Sequence, residues 1–147
     1  MGFFRSLDIS ASGLTAQRLR MDIISENLAN ISTTRTANGG SYRRRFTTFE
    51  QMDGSSFASV YSDSLNADAP AGSGVRVTSI QEDQSPFKLL YDPTHPDANK
   101  DGYVNMPNVD VEREMVDMIS ATRAYEANVT AMNALKGMAM KALEIGK

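Results

Sequence analysis

VDVEREMVDMISATRAYEANVTAMNALKGMAMKALEI, residues 109–145, is the stretch that decides the fold. From Met115 onward, Met118, Thr122, Tyr125, Val129, Met132, Lys136, Ala139 and Leu143 follow at alternating steps of three and four, the period of one helix face. A second stripe, Ala121, Ala124, Asn128, Ala131, Leu135, Met138 and Ala142, occupies another face, and its small side chains admit a close neighbour. Glu112, Glu114 and Asp117 gather in the first turns, where a helix N-terminus favours negative charge. At ~1.5 Å per residue the helix is about 55 Å long, well beyond the roughly three turns of an average helix.

The other end of the chain answers it. From Asp8 to Ile31 the stripe Leu7, Ser10, Leu14, Gln17, Met21, Ile24, Leu28, Ile31 again steps by three and four, diluted by Ser10 and Gln17. Ile9, Ala16, Leu19 and Ile23 form an offset set on a neighbouring face, and Ser6 or Asp8 can cap the start. The helix, about 36 Å long, should fail after Asn30, where Ser32, Thr33, Thr34 and Thr36 lead into Asn38-Gly39-Gly40. Asn27 and Asn30 have two readings: capping and solvated residues, or polar side chains that bond across a packed seam and set its register.

Between the helices the pattern changes. Tyr42 to Met52 alternates and is rich in aromatics and threonine, so it reads as a strand, as do Val75 to Ile80 and, after Pro86, Phe87 to Tyr91. Residues 53–74 are rich in Ser, Ala, Asp and Gly and read as a loop or mobile segment. Asp92 to Gly102 is a loop by every local criterion. The fold class is therefore α+β: long N- and C-terminal helices in an antiparallel coiled-coil-like pair, with a small β-rich insert between them. The division is 1–36 and 107–147 for the helical parts, and 37–106 for the insert with its flexible 53–74 segment.

Counting faces gives the physical consequence. Pairing the terminal helices uses one stripe from each, and an insert of short strands is too small to cover the stripes that remain. Each apolar side chain left wet forgoes on the order of 1.5–3 kcal/mol of burial. The expected cover is the same or similar helices on neighbouring subunits, and before assembly such ends should be poorly ordered, because isolated helices are marginal in water.

Composition narrows the classes. The 147 residues carry a net charge of −3 and no cysteine, so neither disulfides nor thiolate metal sites arise, and a basic nucleic-acid face is not expected. The one basic run, Arg43-Arg44-Arg45, reads as a solvated or interface-pairing strand. No stretch approaches the roughly 18 apolar residues of a spanning helix. Met1 to Asp8 lacks the apolar core of a secretory signal, so export would use a route without a cleaved signal peptide. The nine methionines fall at helical spacing and read as packing.

Candidate chemistry is sparse. Asp97-Ala98-Asn99-Lys100-Asp101-Gly102 matches the first six positions of a calcium loop, but the closing position, which needs a bidentate Glu, falls on Asn108, and Pro93, Pro96 and Pro107 break the flanking helices. His95, the only histidine, stands between prolines with no nucleophile elbow nearby. No catalytic residue, cofactor, metal or small-molecule substrate is expected.

The residues themselves suggest a family. Ser12-Gly13-Leu14-Thr15-Ala16-Gln17, then Ser25-Glu26-Asn27-Leu28-Ala29-Asn30 and Thr33, resembles the N-terminal signature of the bacterial flagellar rod, hook and hook-associated axial proteins, and Arg123-Ala124-Tyr125-Glu126-Ala127-Asn128 resembles its C-terminal counterpart. Asp92-Pro93-Thr94-His95-Pro96-Asp97-Ala98 and Gly102-Tyr103-Val104-Asn105-Met106-Pro107-Asn108-Val109 resemble more narrowly the proximal rod proteins. The likeness is weak between Met52 and Gly74.

The resemblance implies a non-enzymatic subunit of the flagellar basal body, exported unfolded by the flagellar type III apparatus and assembled in the periplasm into a helical tube. Its terminal helices would form the inner coiled-coil layer and its insert the outside, in a tube that transmits torque and encloses the export channel. Partners would be copies of itself, other proximal and distal rod proteins, and the membrane ring at the base. Carried over residue by residue, the assembly positions are Leu14, Gln17, Asn27, Leu28, Ala29, Asn30, Arg123, Tyr125 and Asn128, with Met21, Ile24, Met115, Met118, Val129 and Met132 along the packing stripes. Tyr125 is expected as a packed anchor, Asn27 and Asn30 as bridges, and Arg123 as the partner of a carboxylate such as Glu26. Two other readings compete: a distal rod or hook-type axial protein, against which the short insert argues, and a soluble adaptor hairpin that binds a partner helix in a groove.

Overall fold

In the computed structural model, which describes residues 3–37, 39–52, 61 and 74–144, the chain runs α1 (Phe3–Ala29), β1 (Arg45–Gln51), β2 (Val75–Glu82), β3 (Lys88–Tyr91), β4 (Tyr103–Met106) and α2 (Val111–Glu144). The α+β class holds, with an antiparallel insert between two terminal helices. Apart from residues 61 and 74, the expected loop 53–74 lies outside the described residues.

Local chemistry sets the helix ends. The Asp110 carboxylate accepts the Glu112 N–H at 3.1 Å, and its carbonyl accepts the Glu114 N–H at 3.0 Å, which makes it the N-cap of α2. At the end of α1 the Asn30 side chain donates to the Glu26 carbonyl at 2.9 Å and accepts the Thr33 hydroxyl at 3.1 Å. Asn30 thus takes the capping reading within the chain.

The strands form two ribbons, β1 with β2 and β3 with β4. In the second, Lys88 faces Met106 and Tyr91 faces Tyr103, antiparallel. The Asp92 N–H closes that hairpin on the Gly102 carbonyl at 3.0 Å. Gly102 sits at φ +79°, and a Cβ there would press on the Tyr91 ring and Pro93. Strand β4 is the element that the sequence pattern did not single out.

The chain divides into two compact units, each drawing on both helices and on the insert. The first comprises Met1–Arg18, Phe49–Thr78 and Arg123–Lys147. There α1 and α2 approach closely where Gly13 meets the Asn128 side chain, since a Cβ on Gly13 would lie 3.1 Å from Asn128 Nδ2. Ser12 Oγ accepts the Val75 N–H at 3.1 Å and so ties the start of β2 to α1. The second comprises Leu19–Thr48 and Ser79–Thr122. Its buried apolar side chains include Ile23, Ile24, Tyr42, Val104, Pro107, Val109 and Ala121. Here the two helices run antiparallel, with Arg20 bonded to Asp117 and Asn27 to Glu114.

Candidate functional site

A buried polar cluster in the second unit joins α1, β1 and α2. Glu114 and Asn27 are both 0% exposed. Glu114 Oε1 accepts Arg44 Nε at 2.5 Å and its Oε2 accepts Asn27 Nδ2 at 3.0 Å. Arg44 reaches on to Asp117 Oδ2 at 3.3 Å, and Asp117 Oδ1 takes Arg20 at 2.9 Å. The four charges alternate in sign, so the chain of ion pairs is neutral as a whole. A buried carboxylate survives only when such donors satisfy it.

Asn27 uses all four hydrogen-bonding positions of its amide. Nδ2 donates to the Arg45 carbonyl at 2.8 Å and to Glu114, while Oδ1 accepts the Arg45 N–H and the Tyr42 hydroxyl, each at 2.9 Å. It therefore replaces a missing strand neighbour for Arg45 and pins the start of β1 to the helix. Of the two readings open for Asn27, the seam reading holds. Burial first, and the negative charge of Glu26 second, push the Tyr42 phenol from 10.0 up to about 12.

The solvated reading of the arginine run is corrected. Arg44 is buried on Glu114. Arg43 stacks 4.3 Å above the Phe87 ring and donates to the Asp83 and Ser85 carbonyls, and Arg45 pairs with Glu26 at 3.0 Å. Glu26, the carboxylate suggested for Arg123, is thus engaged by Arg45. Asn108 completes the frame: its Oδ1 accepts the Arg44 N–H at 2.8 Å and its Nδ2 donates to the Asp83 carbonyl at 3.0 Å.

Asn108 is also the position where a calcium loop would need its bidentate ligand, and it is turned to these backbone groups instead. Two of the other candidate ligands, Asn99 and Asp97, also take internal hydrogen bonds. Asn99 Oδ1 accepts the Asp101 and Tyr103 N–H groups, and Asp97 Oδ2 accepts the Thr34 hydroxyl at 2.8 Å. His95 Nδ1 accepts the Asp97 N–H at 3.1 Å. Among the described residues no group of three or more His, Cys, Asp or Glu could hold a metal ion.

The expected assembly residues fall into three sets. Ile24 and Asn27 are buried within the second unit. Leu14, Gln17, Met21, Leu28, Asn30, Met118, Tyr125, Asn128, Val129 and Met132 are half-buried, while Ala29, Met115 and Arg123 are exposed. Gln17 Oε1 is buried with no hydrogen-bond partner among the described residues. Met118 continues the inward line of Glu114 and Ala121, but Met115, 54% exposed, stands with Val116 (67%) and Ile119 (53%) on the outward side of α2. Sequence reasoning missed Glu114 and Arg44 as cluster members. The available signal was that Glu114 lies one heptad before Ala121, on a face otherwise filled by small and apolar residues.

This fold and cluster define a class: an α+β chain of two terminal helices around a small antiparallel insert, with several charges paired inside it and apolar side chains exposed on the C-terminal helix. Comparison with known proteins sharpens it. A family model described as flagella basal body rod protein matches residues 7–35, and one described as flagellar basal body rod FlgEFG protein C-terminal matches residues 100–145. Similar proteins include the flagellar basal-body rod protein FlgC of Bacillus subtilis (strain 168), 58% identical over 100% of both chains. That of Borreliella burgdorferi is 51% identical over 99% of this chain and 98% of the relative, and that of Salmonella typhimurium 39% identical over 100% of both. The chain belongs to the FlgC family of flagellar basal-body rod proteins.

Proposed function

We propose that the protein is a non-enzymatic structural subunit of the proximal rod, which joins copies of itself and other rod proteins in a helical tube. The observation that carries this reading is the likeness along the whole chain to proteins named for the flagellar basal-body rod. It favours the rod over the hook-type and adaptor alternatives. In this proposal the tube spans the periplasm, stands on the membrane ring, transmits torque and encloses the export channel, and the chain reaches it through the type III apparatus without a cleaved signal. No helix among the described residues is long and apolar enough to cross a membrane. Segments 1–36 and 107–147 form the inner layer in this arrangement, and 37–106 faces outward.

Two features support neighbour-facing helices. Met115, Val116 and Ile119 expose a contiguous apolar patch on α2, and the buried Gln17 acceptor lacks a donor that a neighbour or a water would supply. The inward members of the expected set, Ile24 and Asn27, then act by holding the subunit's own fold. Met115→Glu and Ile119→Glu change exposed side chains, so the chain should stay folded and be exported yet fail to enter rods. Normal motility in cells carrying the double variant would overturn the reading.

A further inference from the structure

We infer that the free edge of β3 pairs with the β3 of a second copy of this chain. Two such strands align antiparallel about a two-fold axis at Leu90 and join their hairpins into one four-stranded sheet. The inference goes beyond the rod reading and does not rest on it.

The hydrogen-bond ladder shows which edge is open. The Asp92 N–H bonds the Gly102 carbonyl at 3.0 Å, which sets the phase of the antiparallel pattern. Lys88 and Leu90 therefore turn their backbone groups toward β4, and Leu89 and Tyr91 turn theirs away. The far edge of β4 is already used: the Tyr103 carbonyl accepts the Asn99 N–H at 2.9 Å, and the Asn105 carbonyl accepts the Ser41 hydroxyl at 2.6 Å. Beyond β4, β3 has no strand neighbour among the described residues, and Leu89, Leu90 and Tyr91 are 67%, 52% and 64% exposed. An open apolar edge of this kind is a template for strand addition.

What fits the edge is written in its own sequence. Lys88-Leu89-Leu90-Tyr91-Asp92 is its own antiparallel complement. With Leu90 on the axis, Leu89 stands opposite the partner subunit's Tyr91, an aromatic–aliphatic pair, and Lys88 stands opposite the partner subunit's Asp92. Each of these pairs occurs twice. Within the chain Lys88 donates to the Val109 carbonyl and Asp92 accepts from Thr94, and neither joins an ion pair among the described residues. A pair about a two-fold axis closes on itself, whereas a helical assembly repeats one head-to-tail contact. The pairing therefore belongs to the free chain, where it covers the edge. Strands of 4 residues make a small contact, so the pair is weak and reversible.

Single cysteines in the full-length chain test this, because the chain has none of its own and a disulfide can form only between copies. In the pair the two Leu90 positions face each other with Cα atoms about 4.5 Å apart, within the roughly 4.4–6.8 Å that a disulfide spans. The two Leu89 positions lie diagonally, about 7–8 Å apart. Leu90→Cys should therefore cross-link at least ~10-fold faster than Leu89→Cys, although Leu89 is the more exposed. Equal rates, or a faster Leu89→Cys, would overturn the inference. Adding Leu89→Pro to Leu90→Cys removes an outward N–H, a change that an edge strand tolerates, and should abolish the advantage. Adding Lys88→Glu instead sets like charges opposite each other. It should slow cross-linking ~3-fold or more at low salt, a deficit that about 1 M sodium chloride should largely erase. If the rate is indifferent to either change, or if salt leaves the Lys88→Glu deficit intact, the strands do not pair in this register and the inference fails.

Discussion

At the scale of single residues, Asn27 matters most because its amide is fully used and fully buried. Asn27→Leu conserves volume but strands the Arg45 peptide, the Tyr42 hydroxyl and one Glu114 oxygen. Each orphaned buried group costs about 1–3 kcal/mol, so a loss of about 3 kcal/mol or more is expected in denaturant unfolding. Tyr42→Phe removes one of the four bonds and keeps the ring, and should cost only about 1 kcal/mol. Similar losses for the two would mean that Asn27 merely fills space. Tyr42 also makes stability depend on alkaline pH. Its phenol stays neutral in the fold up to about pH 12, against 10.0 for an ordinary tyrosine. Its contribution is therefore whole below pH 10 and is lost as pH rises from 10 toward 12, about 2–3 kcal/mol in all. The unfolding free energy of the parent chain should fall across that window, and that of Tyr42→Phe should fall less. At the acid end the sign reverses. The Ser85 hydroxyl first, and the Ser85 N–H second, hold Asp83 below its usual 3.8, so its contribution is present above that pH and fades as pH drops.

At the scale of elements, the sequence pattern reached what periodicity can reach. Both helices came from three-and-four spacing; the end of α1 at Ala29 and the start of α2 at Val111 lie close to the expected Ile31 and Val109, while α1 begins at Phe3, ahead of Ser6 and Asp8, which therefore lie inside the helix and do not cap it. Strands β1, β2 and β3 came from alternation. Strand β4 was missed because Tyr103-Val104-Asn105-Met106 is four residues long and becomes a strand only by pairing with β3. The burial direction of α1 was off by one position in places: the stripe was drawn through Leu14 and Leu28, whereas Gly13 and Asn27 are the buried neighbours. Apolarity scores misjudge such a face, because Gly13 faces inward to let Asn128 approach and Asn27 faces inward to bond a strand. Glu114 and Arg44 escaped for the same reason. Pattern reading places charges outside, and only the fold reveals that these two meet. The family resemblance, by contrast, was carried by short motifs at both ends and was legible without any structure.

At the scale of the whole molecule, the question is which force joins subunits. The chain carries 18 acidic and 15 basic residues. Several of these charges are committed to ion pairs within it, among them Arg20–Asp117, Arg44–Glu114 and Arg45–Glu26. A charge already paired inside offers a neighbour little. The side chains left without cover include Met115, Val116, Ile119, Met138, Met140 and Leu143 on α2. Burying these would drive association through apolar area, a force that salt screening does not weaken. Raising sodium chloride from 0.1 to 1 M shortens the screening length from ~10 Å to ~3 Å and should barely change self-association measured by sedimentation. Ammonium sulfate should strengthen association, because sulfate is excluded from protein surface, and cooling should weaken it. Dissociation on addition of sodium chloride would instead place the joint on exposed charges such as Arg123 and Glu126, and the apolar patch of α2 would then need another partner.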